Sequence, residues 1–247
     1  MTKRMFITGG SRGIGAAIVE AAAAAGWDVG FTYVSNESAA AEVAQRASAH
    51  GTKIRHWQLD VRNSANVDEV ADAFLAEFES VDAVICNAGI NRNGLAYSMN
   101  DEDWDAVIGT NLTGSFYVCR AFLPELVANR AGRILMMSSI TAEGASGQAA
   151  YAASKAGLKG LAQTLAKEYG PKGITTNVLV PGYFPTDMTS GEAMAEGLKD
   201  FAISYCPLRR LGELDELAAS VLFLCGDGAG FINGAVIDVT GGLGWAP

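Results

Sequence analysis

The stretch Thr8-Gly9-Gly10-Ser11-Arg12-Gly13-Ile14-Gly15 lies between a short apolar run, residues 4–8, and a helical pattern that begins at residue 14. In a loop that joins a strand to a helix, glycines permit a tight turn, let the backbone approach a pyrophosphate and allow the helix to pack closely on the strand. The N-terminus of the helix carries partial positive charge, which favours phosphate groups. This glycine loop, residues 8–15, therefore predicts nucleotide binding.

Outward from this loop, short apolar runs alternate with helical patterns along the chain. The runs have the length and hydrophobicity of strands buried on both faces; they cover residues 4–8, 29–34, 54–59, 81–86, 133–137, 175–180 and 236–239. The helical patterns cover residues 14–25, 38–49, 65–78, 101–129, 151–169 and 213–224. Repeated strand–helix–strand units predict right-handed crossovers. We expect an α/β fold: a single-domain Rossmann-type doubly wound sheet of about seven parallel strands with helices on both faces, spanning residues 1–247.

One connection departs from this rhythm. Residues 182–211 form a connection that is long for a loop and contains Pro185 and Pro207. Long connections in compact domains are usually functional or disordered. We expect residues 183–211 to form a lid over a site, with an inert insertion as the alternative.

The composition excludes several classes of function. A net charge of −9 argues against non-specific binding to nucleic acid or to anionic membranes, which needs clustered Lys and Arg. The four cysteines form no Cys-x-x-Cys pair and indicate core residues in a reducing compartment. The two histidines, His50 and His56, both fall in the expected connection before Asp60, so neither a metal site nor a histidine-based triad is expected. No run approaches the ~18 apolar residues of a membrane span, and we expect a soluble, cytoplasmic protein.

The glycine loop and two further motifs carry a resemblance to a known family. Residues 8–15 resemble the TGxxxGxG loop of the short-chain dehydrogenases/reductases. Asp60-Val61 resembles the pair that contacts adenine in this family, and Asn87-Ala88-Gly89 resembles the turn after its fourth strand. The resemblance continues to residues 238–242 and covers essentially the whole chain. It implies that these segments bind a nicotinamide dinucleotide.

The end of the second expected strand bears on the choice of cofactor. An NAD enzyme commonly places an acidic residue there for the ribose 2′-hydroxyl, and such a residue would repel a 2′-phosphate. Here no carboxylate occurs before Glu37, and Arg12 in the glycine loop has the geometry to bind a phosphate bidentately. Against this, many NADP-dependent members of the family add a second basic residue near Val34, which this sequence lacks. The balance favours NADP(H) over NAD(H).

Tyr151 and Lys155 lie four residues apart at the start of a helical pattern, so their side chains face the same way. A free tyrosine, with a pKa near ~10, is a poor acid–base catalyst at neutral pH. A lysine ammonium nearby favours the phenolate and lowers that pKa. An isolated pair at this spacing is more often a surface feature, but residues 151–157 resemble the family's catalytic motif. The resemblance implies that Tyr151 transfers the proton while Lys155 holds the cofactor ribose and tunes Tyr151.

The family's third catalytic element is a serine at the end of the fifth strand, and Ser138 and Ser139 are adjacent candidates. Counting back from Tyr151 at the family's usual spacing gives Ser138, whereas counting along the strand or from Asn111 gives Ser139. The two counts differ by one residue, which a deletion of one residue on one side of the serines would explain. Such a deletion is accommodated more easily in a surface loop than in a buried strand, where a slip of one residue turns every side chain to the other face. We choose Ser139.

Asn111 corresponds to the family's fourth catalytic element. In the family, this asparagine helps to hold a water that connects the lysine to solvent. The alternative is an amide that bonds back to the preceding turn of its own helix. Glycines on both sides, Gly109 and Gly114, make a local kink in that helix an additional expectation.

Residues 181–188 resemble the segment with which the family contacts the nicotinamide. The resemblance assigns Pro181, Gly182 and Thr186 to this contact and the residues after them to the lid. Tyr183 and Phe184 have two interpretations, as residues of the site or as packing residues.

Within the family, residues 147–151, 207–212 and 233–238 most resemble the 3-oxoacyl-carrier-protein reductases and acetoacetyl-CoA reductases. They imply an NADP(H)-dependent oxidoreductase that reduces the ketone of a 3-oxoacyl thioester, with an acyl carrier protein as a candidate partner. Such an acidic partner needs basic residues at the mouth of the site; the candidates are Arg130, Arg133, Lys172, Arg209 and Arg210.

Two alternative functions remain open from the sequence. One is a dehydrogenase of a small polyol, sugar or other hydroxy compound, and the other is a regulator that binds the cofactor without turnover. Family members usually assemble as tetramers or dimers. The resemblance therefore also implies a homotetramer formed through the helices that hold Asn111 and Tyr151.

Overall fold

The computed structural model describes residues 2–186 and 192–244, and within them the strands form one parallel sheet. The strands are β1 (Arg4–Ile7), β2 (Asp28–Tyr33), β3 (Ile54–Gln58), β4 (Ala83–Cys86), β5 (Gly132–Met137), β6 (Ile174–Pro181) and β7 (Val236–Val239). Their spatial order is β3-β2-β1-β4-β5-β6-β7, and every neighbouring pair is parallel. The predicted doubly wound sheet of seven strands is confirmed.

Helices cover both faces of the sheet. They are α1 (Gly13–Ala24), α2 (Glu37–Ser48), α3 (Ser64–Phe78), α4 (Asp101–Ile108), α5 (Gly114–Asn129), α6 (Ala149–Tyr169), α7 (Glu192–Tyr205) and α8 (Leu214–Cys225). Helices α1, α2 and α8 contribute to the core on one face, and α3, α5 and α6 contribute to the core on the other.

Strand β1 shows why the apolar runs are nearly continuous. Met5 and Ile7 belong to the core on the α1 side, whereas Phe6 points to the opposite face. There its ring lies 5.3 Å from that of Phe74 and 4.5 Å from that of Phe122, between centroids. Burying each such side chain contributes about 1.5–3 kcal/mol. Both faces therefore require apolar residues, and the polar–apolar alternation of a half-exposed strand is lost.

The helical pattern over residues 101–129 is interrupted in the structure. Helix α4 begins as predicted, with the side chain of Asn100 accepting a hydrogen bond from the backbone N–H of Asp103 at 2.7 Å. After Ile108 the chain forms a π-helical turn, Gly109–Thr113, before α5 begins. Such turns are rare in proteins, and those that occur are frequently found at functional sites. Asn111 lies at the centre of this one.

Two expectations about local structure are wrong. Residues 182–211 contain α7 rather than a continuous loop, because the prolines that suggested a loop lie outside the helix. His56 lies within β3 and not in the connection before it, and its ring stacks on Phe31 at 5.6 Å between centroids. The expectation for the cysteines is met, since all four are buried as free thiols.

Candidate active site

The carboxyl ends of β1 and β4 lie side by side at the centre of the sheet, where the strand order reverses. In open α/β sheets the crevice at such a reversal is the usual place for a ligand. The glycine loop follows β1, and Asn87 follows β4 directly. The topology therefore brings two of the predicted cofactor segments to one crevice.

The glycine loop has a conformation that needs its glycines. Gly9 and Gly13 have φ values of +68° and +53°, in the left-handed region that favours glycine. A Cβ atom on Gly15 would lie 2.1 Å from the carbonyl oxygen of Gly9, which leaves no room for a side chain. The side chain of Arg12, at the N-cap of α1, does not cap the first turn. The loop therefore offers backbone N–H groups at a helix N-terminus, the arrangement that binds phosphates.

A set of hydrogen bonds fixes this loop to the turn after β4. The Thr8 hydroxyl accepts from the backbone N–H groups of Asn87 and Ala88, each at 3.0 Å. The side-chain amide of Asn87 donates in return to the carbonyl oxygens of Thr8 and Gly9, each at 3.0 Å. Asn87 thus holds the loop in shape, so the crevice is organised by the chain itself.

The expected adenine side of the crevice holds an ion pair that the sequence analysis missed. The Arg62 guanidinium forms a fork on both oxygens of Asp60, with contacts of 2.6 to 3.1 Å. These hydrogen bonds are the main reason why the pKa of the Asp60 carboxyl lies below its usual range. Asp60 is therefore a charged acceptor. The signal was present in the sequence as an arginine two residues after the predicted contact.

At the end of β2, the chain offers polar groups without a carboxylate before Glu37. Val34 is exposed, and the side chain of Asn36 accepts a hydrogen bond from the N–H of Ala39 at 3.0 Å, which caps α2. Glu37 belongs to the first turn of α2. The exposed Arg12 extends from the glycine loop. The first carboxylate after β2 is therefore that of Glu37, within α2.

Tyr151 and Lys155 occupy the first two turns of α6. Burial raises the pKa of the Tyr151 phenol above its ordinary value of 10.0, and a hydrogen bond with Ser139 opposes this only in part. The Lys155 ammonium donates to the carbonyl oxygen of Met137 at 2.7 Å and lies 5.6 Å from the centre of the Tyr151 ring. The expectation that Lys155 lowers the pKa of Tyr151 is not met here, because burial dominates. The phenol therefore stays protonated at neutral pH, which is the form that can donate a proton.

Lys155 is itself perturbed by its surroundings. Only 4% of the residue is exposed, and burial lowers its pKa from 10.5 to about 8. Gly89 leaves the space around its ammonium, since a Cβ there would lie 3.3 Å from Lys155 Nζ and 3.4 Å from Asn111 Oδ1. A lysine with a pKa near neutrality can exchange its proton readily.

The two adjacent serines have different surroundings. The buried Ser138 hydroxyl donates to the carbonyl oxygen of Lys155 at 3.0 Å. Ser139 lies on the other side of the chain, where it interacts with the Tyr151 phenol and acts to lower its pKa. Its hydroxyl accepts from the N–H and hydroxyl of Thr141 at 3.2 and 3.1 Å. The geometry thus brings Ser139, and not Ser138, to the phenol.

Asn111 is fully buried, and its side chain has three partners. Its Oδ1 accepts from the N–H of Ile90 at 2.9 Å, and its Nδ2 donates to the carbonyl oxygen of Ile90 at 3.0 Å. The same Nδ2 donates to the Ser154 hydroxyl at 3.0 Å, and Ser154 in turn donates to the carbonyl oxygen of Tyr151 at 2.7 Å. The amide does not bond back within its own helix. Ser154, one residue before Lys155, was missed by the sequence analysis and joins Asn111 to the first turn of α6.

The segment after β6 lies against the glycine loop. Pro181 ends β6, and Gly182 allows close approach, since a Cβ there would lie 2.8 Å from Thr240 Cα. A Cβ on Gly13 would lie 3.5 Å from the Cβ and Cγ2 of Thr186. Asp187 and Met188, the end of the predicted nicotinamide segment, lie outside the described residues.

The two aromatic residues of this segment are packing residues in the structure. Phe184 is buried in the core on the α1 side. The Tyr183 ring meets Phe201 of α7 edge to face, at 5.7 Å between centroids. Phe184 therefore anchors the start of residues 183–211 to the core, whereas Tyr183 packs on α7 within the same segment.

A cavity of about 450 Å³ lies between this segment, α7, α8 and the chain after β7. Phe184, Cys206, Arg210 and Glu216 are among the residues that line it, and Arg210 forms an ion pair with Glu216 at 2.6 Å. Asn111, Ser139, Tyr151 and Lys155 do not line it. The cavity is therefore separate from the Tyr151 hydroxyl, and we assign the site by the chemistry of its residues.

The basic residues considered for an acidic partner lie in two places. Arg130 and Arg133 flank the start of β5, and Lys172 precedes β6, so all three lie at the amino ends of strands. Tyr151 and the glycine loop lie at the carboxyl ends. Arg209 and Arg210 follow α7 on the lid side. Arg130, Arg133 and Lys172 therefore lie at the edge of the sheet opposite to Tyr151 and the glycine loop, and not at the mouth of this chain's own site.

Within residues 2–186 and 192–244, His, Cys, Asp and Glu side chains form no group of three or more that could hold a metal ion. Nor does any helix in that part of the chain combine the length and the apolar character needed to cross a membrane.

Comparison with known proteins adds the family. A family model described as enoyl-(acyl carrier protein) reductase matches residues 9–244. The chain is 38% identical over 244 residues to the 3-oxoacyl-[acyl-carrier-protein] reductase of Staphylococcus epidermidis, a match that covers 98% of this chain and 99% of that protein.

Solved structures give the same result. A variant of a short-chain dehydrogenase/reductase from Serratia marcescens is similar with a TM-score of 0.90 and 31% identity, over 98% of both chains. A blue fluorescent protein from a metagenomic library, in complex with NADPH, is similar with a TM-score of 0.89 and 35% identity, over 98% of this chain and 97% of that one. With matches of this extent in sequence and structure, the chain belongs to the short-chain dehydrogenase/reductase family.

Proposed function

We propose that this protein is an NADP(H)-dependent reductase that converts the ketone of a 3-oxoacyl thioester to a secondary alcohol. One observation carries the proposal: α6 holds Tyr151 and Lys155 together beside the carboxyl ends of the strands, with Lys155 Nζ 5.6 Å from the centre of the Tyr151 ring, and desolvation raises the pKa of the phenol so that it keeps its proton. A general acid must hold its proton at the working pH and deliver it to a positioned oxygen. The 38% identity to a 3-oxoacyl-[acyl-carrier-protein] reductase supports the choice of substrate.

The crevice fits a dinucleotide by the shape of its glycine loop. The space at Gly15 and the left-handed conformations of Gly9 and Gly13 form a cradle that side chains would fill. In our proposal residues 9, 11 and 13–15 hold the pyrophosphate, and Arg12 contacts the 2′-phosphate. The proposed contacts with the rest of the cofactor are made by Asp60, Val61, Asn87, Ala88, Gly89, Tyr151, Lys155, Pro181, Gly182 and Thr186. When bound, NADPH supplies the hydride.

The proposed chemistry assigns a separate role to each polar residue. Ser139 donates a hydrogen bond to the substrate carbonyl oxygen and orients it, and Tyr151 donates its proton to the same oxygen as the carbonyl carbon is reduced. Lys155 binds the ribose hydroxyls and returns a proton towards Tyr151, a role that its pKa of about 8 suits. Asn111 supports the water that connects Lys155 to solvent. Positioning and electrostatics supply the rate enhancement.

The preference for NADP(H) over NAD(H) is part of the proposal. It is supported by Arg12 on the glycine loop and by the absence of a carboxylate at residues 32–36. A planar guanidinium suits the bidentate recognition of a phosphate. The NADPH complex of a similar structure is consistent with this choice.

We further propose that the chain is one domain, that residues 183–211 close over the substrate, and that four chains assemble in the cytoplasm. The predicted assembly face is supported by Ala153, Ala156 and Gly160, which are exposed and share one stripe of α6. Exposed aromatic residues on α4 and α5, Trp104 and Phe116, extend this face with apolar surface. Free buried thiols agree with a reducing compartment.

An absorbance assay tests the proposed function. Purified protein is mixed with acetoacetyl-CoA, or with the same acyl group on an acyl carrier protein, and the loss of the reduced-nicotinamide band is followed with NADPH and with NADH. The proposal predicts oxidation of NADPH at least ~10-fold faster than of NADH, since Arg12 would add a charge-assisted contact to the 2′-phosphate. Turnover of free polyols but not of either thioester would support the dehydrogenase alternative. Cofactor binding without turnover of any of these compounds would support the regulator.

A further inference from the structure

The segment Asp60-Val61-Arg62, which follows β3, makes close contacts in two directions. Towards the crevice, Arg62 Nε donates to Asp60 Oδ1 at 3.0 Å and to Oδ2 at 3.1 Å, and Arg62 Nη2 donates to Oδ2 at 2.6 Å. The backbone N–H of Arg62 also donates to Asp60 Oδ1, at 3.0 Å. The carboxylate is therefore fixed by side-chain and backbone groups of one neighbour.

Towards the body of the protein, the same segment packs on the π-helical turn. A Cβ on Gly114 would lie 2.6 Å from Val61 Cγ2 and 3.1 Å from the carbonyl oxygen of Val61, so only glycine allows this approach. A Cβ on Gly109 would lie 3.6 Å from the Cγ and Cδ atoms of Arg62. The aliphatic part of Arg62 therefore lies close to the start of the turn. The Arg62 side chain is about half exposed, so we expect the pair to act through the position of the carboxylate and to contribute little to stability.

The fork leaves Asp60 able to accept one more hydrogen bond. Three hydrogens reach the carboxylate, one each from Nε, Nη2 and the backbone nitrogen, whereas a carboxylate offers about four acceptor positions. The guanidinium also offsets the negative charge of Asp60, which would otherwise repel the phosphates of a dinucleotide. The pair thus presents an ordered acceptor without net charge.

We infer that Arg62 is a positioning residue that holds the Asp60 carboxylate for the 6-amino group of the adenine. The inference rests on the proposed function, which places adenine at Asp60 and Val61. It adds that recognition of the amino group depends on Arg62.

Two cofactors that differ at this one group test the inference. Dissociation constants are measured by the fluorescence of NADPH and of its reduced hypoxanthine analogue, in which an oxygen replaces the 6-amino group. The proteins are the wild type, Arg62→Ala, Arg62→Lys and a control, Arg55→Ala. Arg55 is a matched control because it is about half exposed and forms an ion pair with Glu77 at 3.0 Å, at the other end of β3.

We expect the wild type and Arg55→Ala to bind NADPH ~10-fold more tightly than the analogue, as one hydrogen bond to a charged group warrants. In Arg62→Ala this preference falls to ~3-fold or less, because NADPH binds more weakly while the analogue changes little. Arg62→Lys, which keeps the charge but not the fork, falls between the two.

Three results would overturn the inference. A full preference in Arg62→Ala would show that Arg62 is dispensable, and an equal loss for both cofactors would show a general effect of charge or folding. A wild type without preference would show that Asp60 does not recognise the amino group, although oxidation of NADPH would leave the proposed function intact. A wild type that binds no NADPH would overturn the proposed function, and the inference with it.

Discussion

The hydroxyl of Ser138 donates to the backbone carbonyl of Lys155 at 3.0 Å and so joins the end of β5 to the second turn of α6. The next residue, Ser139, interacts with the Tyr151 phenol instead and acts to lower its pKa. Successive residues of an extended chain point to opposite sides. Two neighbouring serines therefore hold the lysine and the tyrosine of one helix separately.

This arrangement predicts different defects for the two serines. Ser139→Ala removes the group that orients the substrate oxygen, so we expect kcat to fall by about 10²-fold or more with unchanged stability. Ser138→Ala removes a buried hydrogen bond, so we expect a loss of about 1 kcal/mol in the free energy of unfolding and less than a ~5-fold change in kcat. Steady-state kinetics and urea unfolding of both variants check this. The reverse pattern would make Ser138 the serine of the site.

We expect the protein to become more stable when the buried Lys155 is replaced by an apolar residue. Its pKa falls from 10.5 to about 8 on burial, so the folded state binds fewer protons than the unfolded state between these two pH values, and stability rises with pH there. Below pH 8 the buried ammonium is charged, and its burial lowers the free energy of unfolding by the full amount that corresponds to this shift, about 3 kcal/mol. Lys155→Met should therefore be more stable by about 1–3 kcal/mol at pH 7, allowing for the lost bond to Met137, and this gain should shrink towards pH 10.5.

Urea unfolding at several pH values measures this gain. Lys159→Met, at an exposed position of the same helix, is the control and should change stability by less than about 0.5 kcal/mol. The burial argument would be contradicted if the stability that Lys155→Met gains over the wild type were smaller at pH 7 than at pH 10.

Ser154 predicts an indirect effect on turnover. It accepts from Asn111 at 3.0 Å and donates to the carbonyl oxygen of Tyr151 at 2.7 Å, in a fully buried position. Ser154→Ala removes the acceptor of one amide hydrogen of Asn111, which lowers the free energy of unfolding by about 1–3 kcal/mol. We expect kcat to fall about 10-fold while the KM for NADPH changes less than about 3-fold. Ser48→Ala removes a similar bond to a helix carbonyl, on the exposed end of α2, and should leave kcat unchanged; equal kinetics in both variants would refute the role of Ser154.

The assembly face predicts the effect of a bulky residue on α6. Nothing lies within 4 Å of a Cβ built on Gly160, so the single chain accommodates a larger side chain there. If α6 packs against another chain, Gly160→Trp should break the contact. Light scattering should give four times 25.7 kDa, about 103 kDa, for the wild type and a lower mass for the variant. Asp72→Trp, on α3, should keep the wild-type mass. A tetramer that survives Gly160→Trp would exclude this face.

The fold was predictable from the sequence because its signals are local. The apolar runs and the glycine loop identified each strand in the described part of the chain, with bounds that agree with the structure to within two residues. Helix α7 was missed because Pro185 and Pro207, which suggested a loop, flank it. The π-helical turn was missed in detail because the helical pattern of residues 101–129 runs through Gly109–Thr113 without interruption.

The candidate site was predictable in its residues but not in its electrostatics. Spacing identified Tyr151 and Lys155, but the sequence could not reveal that burial raises one pKa and lowers the other. Ser154 was missed because its role depends on a contact with Asn111, which is remote in sequence. Contacts of this kind become visible only when the folded chain brings them together.

The central claim is that Tyr151 gives its proton to the reduced oxygen, and Tyr151→Phe tests it most directly. The measurement is the rate of NADPH oxidation with an acetoacetyl thioester, together with NADPH binding by fluorescence in the same preparation. We predict that kcat falls by about 10²–10⁴-fold, the usual contribution of a general acid, while the Kd for NADPH changes by less than about 3-fold. Turnover at the wild-type rate with NADPH bound would contradict the account.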